Sequence, residues 1–298
     1  MTDRVKGVVS IVISAFGFAL MAMLIRLCDT AGEPVSAVQK SFLRNAVSAV
    51  VALSVLAANR REGLVGARFT PSLGFRCVFG AVGIVANYYA LSHINIAEGQ
   101  TLNKTAQFFT VIIAWLCFGE RPRLRQIAAV AIAFAGVLLI TRPGFARSEC
   151  AALWIGLLGG LAAGAAYACT RRLAVLKVPV RFVVAVFSCF AMLSCVPFLC
   201  LSGWDAMNAA QCLIIAAAGV AALVGQYGIT AAYRFARAGE LAAWDYTNIL
   251  FTLLFGYFCF GQIPDPFAFA GMAMIVAAAL FSSGRFVRIH RNWKAEFK

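Results

Sequence analysis

Apolar stretches of roughly 15 to 23 residues recur along the whole chain, separated by short segments with Pro, Gly, Arg or acidic residues. The 298 residues are 62% hydrophobic with a mean hydropathy of +0.85, which is more apolar surface than one soluble domain can bury. A lipid bilayer is therefore the expected solvent. The pattern predicts an all-α integral membrane protein of about ten transmembrane helices, at residues 7–27, 36–58, 73–92, 96–118, 125–141, 152–169, 183–201, 209–233, 241–260 and 267–282.

The segments between the predicted spans are short, and none outside the bilayer reaches the size of a small soluble domain, about 50 residues. Any function must therefore lie within the membrane. The ten cysteines are scattered, mostly in apolar spans and without a C-x-x-C pair. The sequence accordingly predicts no metal site, no disulfide framework and no cofactor.

The 26 basic residues are distributed very unequally between the two sides of the predicted spans. With the N-terminus inside, twenty fall in inside segments and inner helix ends, Arg76 among them, whereas the outer face has only Arg26, Arg142 and Arg147. Cytoplasmic loops carry such an excess, so we expect a multi-pass protein of the cell inner (plasma) membrane with both termini cytoplasmic. The net charge of +14 then reflects topology and anionic lipid headgroups, and nucleic-acid binding is not expected.

The chain repeats itself at an offset of 142 residues. The matches include Glu98 with Glu240, Thr105 with Thr247, Phe109 with Phe251, Gly119 with Gly261 and Pro122 with Pro264. The predicted units are 1–148 and 149–298, each with five helices and the second with a short basic cytoplasmic tail. Because five is odd, the halves are inverted. Inverted repeats are typical of secondary transporters, in which one half rocks against the other around a central site, although a duplication kept only for packing is the alternative.

These features resemble the EamA-type family of the drug/metabolite transporter superfamily, and the resemblance covers essentially the whole chain. The residues that carry it are Phe16, Gly17, Phe42, Leu43, Arg44, Gly119, Glu120, Arg121, Pro122, Gly136, Thr141, Arg142, Pro143 and Gly144. In the second half, Gln262 replaces the acidic residue after Gly261, and no arginine corresponds to Arg44. The resemblance implies ten helices and the uptake or export of amino acids, nucleotide-linked metabolites, vitamins or drugs by exchange or proton coupling.

Ionisable groups inside a bilayer cost about 2.5 to 3.5 kcal/mol each on insertion scales, so those within the spans are candidates for function. Lys40 and Arg44 lie one turn apart on one face of the second span. Arg44 is expected near the midplane, lining the central cavity, whereas Lys40 either lines it too or snorkels outward. Glu120 and Glu240 lie at inner helix ends and are expected to be solvated.

The fourth span contains Asn103, Lys104 and Gln107, and the ninth contains Asp245 and Tyr246 at the positions equivalent to the first two. Inversion places the two clusters at mirrored depths, which leaves direct contact between Lys104 and Asp245 open. Two interpretations remain: a site for substrate or protons, or an interhelical ion pair that only fixes packing. Further polar groups in the spans, which together predict a mixed pocket or else pack between helices, are Asn87, Tyr88, Tyr89, Gln226, Tyr227, Trp244 and Asn248.

The sixth span carries Gly156, Gly160 and Gly164 at four-residue spacing. A ridge of small side chains lets another helix approach closely. This ridge therefore predicts close packing, or sliding, of a neighbouring helix.

Three cations against one acid inside the spans favour an anionic or zwitterionic substrate, such as an amino acid or organic acid. The sequence therefore predicts a secondary transporter, exporter or exchanger, that works by alternating access, with proton or counter-substrate coupling and a homodimer both left open. An exporter of lipophilic or cationic drugs is the alternative transporter. An intramembrane enzyme or a scaffold is the alternative from other classes, and the sequence has neither H-E-x-x-H nor G-x-S-x-G.

Overall fold

The computed structural model describes residues 2–33, 35–59, 64–93, 102–141, 150–261 and 266–283, and the regular structure of these residues is helical throughout. The division near residue 148, the basic tail, Glu98, Gln262 and Pro264 lie outside the described residues. The helices are α1 Asp3–Thr30, α2 Ala37–Ala58, α3 Pro71–His93, α4 Ala106–Phe118, α5 Leu124–Thr141, α6 Cys150–Val175, α7 Val180–Ser202, α8 Ala209–Phe235, α9 Ala238–Asp245, α10 Thr247–Phe260 and α11 Pro266–Ser283.

Five of these helices, α1, α2, α6, α7 and α8, are long and apolar enough to cross a membrane. Four shorter apolar helices cover Pro71–Asn87, Leu102–Phe118, Leu124–Ile140 and Pro266–Phe281. Together with the pair α9 and α10, they account for the ten predicted spans. Large apolar side chains such as Val50, Leu116 and Phe258 are exposed on the outside of the bundle, as expected of a surface that faces lipid.

The fourth and ninth predicted spans each contain a one-residue irregularity, at Thr105 in Leu102–Phe118 and at Tyr246 in the ninth span. Both residues keep right-handed helical backbone angles, with φ and ψ of −62° and −19° at Thr105 and of −64° and −14° at Tyr246. The hydroxyl of Thr105 donates to the carbonyl of Leu102, and that of Thr247 donates to the carbonyl of Trp244 at 2.7 Å. These two hydrogen bonds lie at equivalent positions of the repeats. Threonine hydroxyls compete here with the backbone for helix carbonyls, which favours a local irregularity in each helix.

Two glycines end the equivalent helices α4 and α10. Gly119 has a φ of 69° and Gly261 a φ of 62°, and both are the left-handed residues that close a helix C-terminus. Their amide groups donate to the carbonyls of Trp115 and Tyr257. The sequence match between Gly119 and Gly261 therefore reports the same chain reversal in each half.

The helix packing has the symmetry of two inverted five-helix repeats. Helix α1 packs on α8 as α3 packs on α6, and α1 packs on α10 as α6 packs on α4. The pairs α2 with α7 and α5 with α11 join equivalent helices of the two halves. Each half thus completes its packing only against the other, which places any internal site between the repeats.

Small residues let the α1–α8 and α3–α6 pairs cross closely. A Cβ atom added to Gly17 would lie 2.8 Å from the backbone nitrogen of Gly225, and one added to Gly83 would lie 3.2 Å from that of Ala163. These two crossings are equivalent in the repeats. The predicted ridge of α6 packs elsewhere: a Cβ on Gly164 would lie 2.8 Å from the carbonyl oxygen of Ala106, so the ridge faces the helix of the fourth span.

Candidate functional site

The carboxylate of Asp245 is the centre of a buried polar cluster between the repeats. The Lys104 ammonium lies 3.7 Å from Asp245 Oδ2, and the Gln107 side-chain amide donates to the same oxygen at 2.7 Å. Asp245 is 8% exposed and Gln107 2% exposed. The contact that the sequence left open is therefore a direct ion pair. Burying the two charges of this ion pair costs desolvation free energy, so the pair is expected to serve packing or transport.

The irregular positions of the two helices meet at this cluster. Tyr246 is fully buried, and its hydroxyl donates to the carbonyl of Lys104 at 3.1 Å. Two residues further along, the side-chain amide of Asn248 donates to the carbonyl of Ala15 at 2.9 Å, which ties α10 to α1. The interface between inverted repeats is where transporters commonly place their substrate and ion sites.

Tyr167, Tyr233 and Trp244 belong to one hydrophobic cluster, in which the rings of Tyr167 and Tyr233 lie 6.4 Å apart. The indole N–H of Trp244, the residue before Asp245, is buried and has no hydrogen-bond partner among the described residues. The side-chain oxygen of Gln107 is unpaired in the same sense. Buried polar atoms are almost always paired, so each of these two is a group to which a bound molecule can supply the missing partner.

Arg44 is a buried cation with neutral neighbours. It is 9% exposed, and its guanidinium donates to the sulfur of Met21 at 2.8 Å and to the side-chain oxygen of Asn45 at 3.0 Å. Its Nε has no partner, and no carboxylate of the described residues lies within ion-pair distance. An uncompensated buried guanidinium is expensive, which favours an anionic ligand as its partner.

Lys40 belongs to a different contact. Its ammonium lies 2.6 and 2.9 Å from the two oxygens of Asp29, near the end of α1. Asp29 is exposed, and by pairing with Lys40 it supplies a carboxylate for one of the three in-span cations predicted from the sequence. Lys40 ties α1 to α2, and no described contact joins it to the Asp245 cluster.

Arg76 is a buried cation that the sequence prediction placed at a helix end. It was assigned to the inner helix ends, yet it is 3% exposed inside α3. Its guanidinium donates to the side-chain oxygen of Gln226 at 3.1 Å. Gln226, a predicted site residue, is therefore a partner of Arg76. A signal was available in the sequence: Gly80 lies one turn later and leaves room for a large side chain.

The remaining candidates are not brought into the cluster by any contact that the structure describes. Asn103 is half-buried one residue before Lys104, and the backbone of Asn87 packs against Gly159 of α6. The hydroxyl of Tyr227 is buried and unpaired within the described residues, in α8. The side chain of Tyr88 lies outside the described residues.

Polar contacts join the two repeats at each end of the bundle. At the predicted inner end, Glu120 accepts from Arg171 Nε at 2.6 Å, and Arg171 also donates to the carbonyl of Tyr233 at 2.6 Å. Glu120 is therefore paired and largely buried, which corrects the expectation of a solvated carboxylate. At the other end, the Gln39 side chain exchanges hydrogen bonds with the backbone of Asp205, at 2.7 and 2.9 Å.

The fold and the cluster define a multi-pass membrane protein in which two inverted repeats enclose a charged central site. The model of the EamA-like transporter family matches residues 5–142 and again residues 151–284. The chain belongs to the EamA-like transporter family. Its two matched segments correspond to the two repeats of the fold.

Several known proteins are similar to this chain. The pseudopaline exporter CntI of Pseudomonas aeruginosa is 26% identical over 280 residues, which cover 92% of this chain and 95% of the exporter. The riboflavin transporter of Rhizobium johnstonii is 29% identical over a match that covers 69% of this chain and 68% of that transporter. Human solute carrier family 35 member G1 is 24% identical over a match that covers 91% of this chain and 77% of the human protein. A crystal structure superposes with a TM-score of 0.78 at 17% identity, covering 93% of this chain and 98% of that chain, which shows the shared fold. The family and these relatives are transporters of small molecules, and the chain is a membrane transporter.

Proposed function

We propose that this protein is a secondary exporter or exchanger of an anionic or zwitterionic metabolite, such as an amino acid or organic acid. The observation that carries this proposal is the Lys104–Asp245 pair, which is largely buried where equivalent helices of the two repeats meet. A site at that junction touches both repeats, so a relative movement of the repeats changes its access to the two sides of the membrane. We infer no catalytic role.

Two features support alternating access as the mechanism. The contacts at the two ends join different parts of the bundle: Arg171 links Glu120 to Tyr233 at one end, and Gln39 binds Asp205 at the other. The close glycine crossings of α1 on α8 and of α3 on α6 provide surfaces on which helices can shift without large side chains in the way. Opening one end while the other stays closed exposes the cluster to one side at a time.

The charges of the site support the substrate class. Arg44 lacks a carboxylate partner among the described residues, and the charge of Asp245 is paired with that of Lys104. A lipophilic monocation meets Lys104 and Arg44, whereas a carboxylate gains a charge-assisted hydrogen bond from either. The relatives named for the export of pseudopaline and the transport of riboflavin are consistent with a metabolite as cargo.

The proposed setting is the inner (plasma) membrane with both termini cytoplasmic, because this orientation places most of the basic residues inside. Coupling to a proton or to a counter-substrate is part of the same proposal, with Asp245 as the group that exchanges partners. An accessible Lys introduced near each terminus, labelled from one side of intact cells, tests the orientation. Labelling from outside would contradict it.

Counterflow in proteoliposomes tests the function directly. Vesicles that contain the purified protein are loaded with mixed amino acids and organic acids, and exchange against external isotope-labelled compounds is read by mass spectrometry. We expect saturable exchange of at least one anionic or zwitterionic compound, with a large loss for Arg44→Ala. Exchange of cations alone contradicts the substrate class, and no exchange of any compound contradicts the transport assignment under these conditions.

A further inference from the structure

A polar cavity lies at the predicted inner end of the bundle, where the turn between α4 and α5 meets the turn between α8 and α9. Its volume is about 310 Å³, which is room for a phosphate group together with several water molecules. Both repeats contribute polar side chains to it: Arg121, Arg123 and Gln126 from the first, and Arg237 and Glu240 from the second. The cavity therefore lies between the repeats.

The charged groups of the cavity are unbalanced. None of its three arginines has a carboxylate within ion-pair distance among the described residues. Of its two carboxylates, that of Glu120 is engaged at 2.6 Å by Arg171, which does not line the cavity, so only Glu240 opposes the three guanidinium groups. The cavity thus has an excess of positive charge. Guanidinium groups bind phosphate oxygens with paired, charge-assisted hydrogen bonds.

Uncharged donors lie beside these arginines. Gln126 is 5% exposed, and its side-chain oxygen accepts from the backbone amide of Arg123 at 2.8 Å. Its side-chain nitrogen is left as a donor that no contact of the described residues uses. A Cβ atom on Gly239 would lie 3.0 Å from the Gln126 oxygen, so the start of α9 lies against this side chain. Arg237 provides no side-chain cap for α9, which leaves the first amide groups of the helix available to an anion.

An unpaired acceptor belongs to the same cavity. Glu120 uses Oε1 for Arg171, whereas its Oε2 is buried and has no partner among the described residues. Buried acceptors are almost always paired, so this oxygen calls for a donor. A hydrogenphosphate ion carries a hydroxyl donor together with its anionic oxygens, and a phosphatidylglycerol headgroup carries glycerol hydroxyls beside its phosphate. Either group can satisfy the arginines and the carboxylate together.

We propose that this cavity binds a phosphate group, free or in a lipid headgroup, and that the bound group ties the two repeats together at the inner end. Arg121 and Arg123 hold the group from the first repeat, and Arg237 holds it from the second. Helix α9 begins beside the cavity and ends at Asp245, so the site lies about 12 Å along that helix from the Asp245 cluster. It is a second site, beyond the proposed transport function, and its occupation stabilises the closed inner end.

Calorimetric titration of the purified protein in detergent tests the site directly. Inorganic phosphate is titrated in the low millimolar range, with chloride at equal ionic strength as the reference. A second arm compares dihexanoyl phosphatidylglycerol with dihexanoyl phosphatidylcholine. We expect saturable binding in at least one arm. Binding of phosphate alone assigns the site to a free anion, and binding of phosphatidylglycerol alone assigns it to a lipid headgroup. Binding in neither arm overturns the inference.

Variants locate the bound group. Arg123→Gln and Arg237→Gln each remove one cation, from opposite repeats, and each should weaken binding by about tenfold or more. Glu240→Gln removes the opposing charge and should strengthen binding about threefold or more, a gain that misfolding does not imitate. Unchanged binding in both arginine variants would place the anion elsewhere. Weaker binding in Glu240→Gln would indicate a cation in the cavity, and either result overturns the inference.

Arg234→Gln is the matched control. Arg234 is an exposed arginine in the last turn of α8, three residues before Arg237, and it does not line the cavity. Its variant should bind phosphate and phosphatidylglycerol as the wild type does. An equal loss of binding in Arg234→Gln and Arg237→Gln would reduce the effect to overall surface charge and overturn the inference.

The tie between the repeats has its own measurement. Bound ligand should slow the reaction of Cys169, which is buried in α6, with a maleimide in the wild type and not in Arg237→Gln. An unchanged rate in the wild type overturns the tie. None of these measurements requires transport. A protein that binds phosphate but exchanges no compound therefore keeps this site and contradicts the proposed transport function, whereas exchange without binding does the reverse.

Discussion

Tyr246 and Lys104 occupy equivalent positions of the two repeats, 142 residues apart, and they contact each other: the tyrosine hydroxyl donates to the lysine carbonyl at 3.1 Å. The approximate symmetry axis of the molecule therefore passes close to the ion pair formed by Asp245. The polar cluster lies where equivalent helices of the two repeats meet.

Tyr246→Phe should weaken this junction. The change leaves a buried carbonyl without its donor, which typically costs about 1 to 3 kcal/mol. We expect a lower thermal unfolding temperature in detergent and slower exchange. Tyr257→Phe is the control, since Tyr257 is 48% exposed on the outside of α10. Equal behaviour of the two variants would show that the hydrogen bond contributes nothing.

Gly17→Ala should disturb the crossing of α1 and α8. The added methyl group would lie 2.8 Å from the backbone nitrogen of Gly225, so the helices must separate, at a cost of about 1 to 3 kcal/mol for overpacking. Thermal unfolding and exchange measure the two consequences. Gly74→Ala is the matched control because the space around it in α3 is open. A stability loss in the control of the same size would point to a general effect of the substitution.

Arg171→Gln should loosen the inner closure. The variant removes the 2.6 Å contact with Glu120 and the hydrogen bond to the carbonyl of Tyr233. Cys169, which is buried near the same end of α6, should then react faster with a maleimide, as measured by peptide-resolved mass spectrometry. Lys6→Gln, which breaks an exposed ion pair with Asp3, should leave the rate unchanged. Unchanged labelling in Arg171→Gln would argue against this contact as a gate.

Thr247→Ala should make the helical hydrogen bonding of the ninth span more regular near Tyr246. The hydroxyl that competes for the carbonyl of Trp244 is lost, so this carbonyl is left to backbone donors. We expect binding to survive while exchange slows, which separates the KM of exchange from its maximal rate. Thr252→Ala is the control, since its hydroxyl donates to the backbone carbonyl of Asn248 on the exposed side of α10. Faster exchange in Thr247→Ala would contradict a role for this local irregularity.

The spans and the inverted repeat could be predicted because they depend on long-range patterns of hydropathy and on residue identities such as Gly119 and Gly261. The contact between Lys104 and Asp245 could not be fixed in the same way. Inversion places the two residues at mirrored depths, but whether their side chains meet depends on how the two helices rotate and cross. Thr105 and Thr247 were visible as a repeat match, but their hydrogen bonds to helix carbonyls were not.

Arg76 was placed in the wrong environment. It lies only five residues after the start of α3 at Pro71, so its position along the chain indicated a helix end. Its burial follows from the direction of its side chain, towards Phe187 and Gln226 on other helices. The ion pair of Lys40 with Asp29 was not predicted, because the two residues come from different helices. Such pairings depend on how helices rotate against each other, which a single sequence does not determine.

The central claim is that the cluster around Asp245 is the transport site, and counterflow with Asp245→Asn tests it most directly. The control is Asp29→Asn, which breaks the ion pair between Asp29 and Lys40, outside the cluster. Both proteins are first shown to be folded by thermal unfolding. We predict that Asp245→Asn loses exchange or changes its substrate selectivity and that Asp29→Asn exchanges like the wild type. Wild-type rate and selectivity in Asp245→Asn would contradict the account.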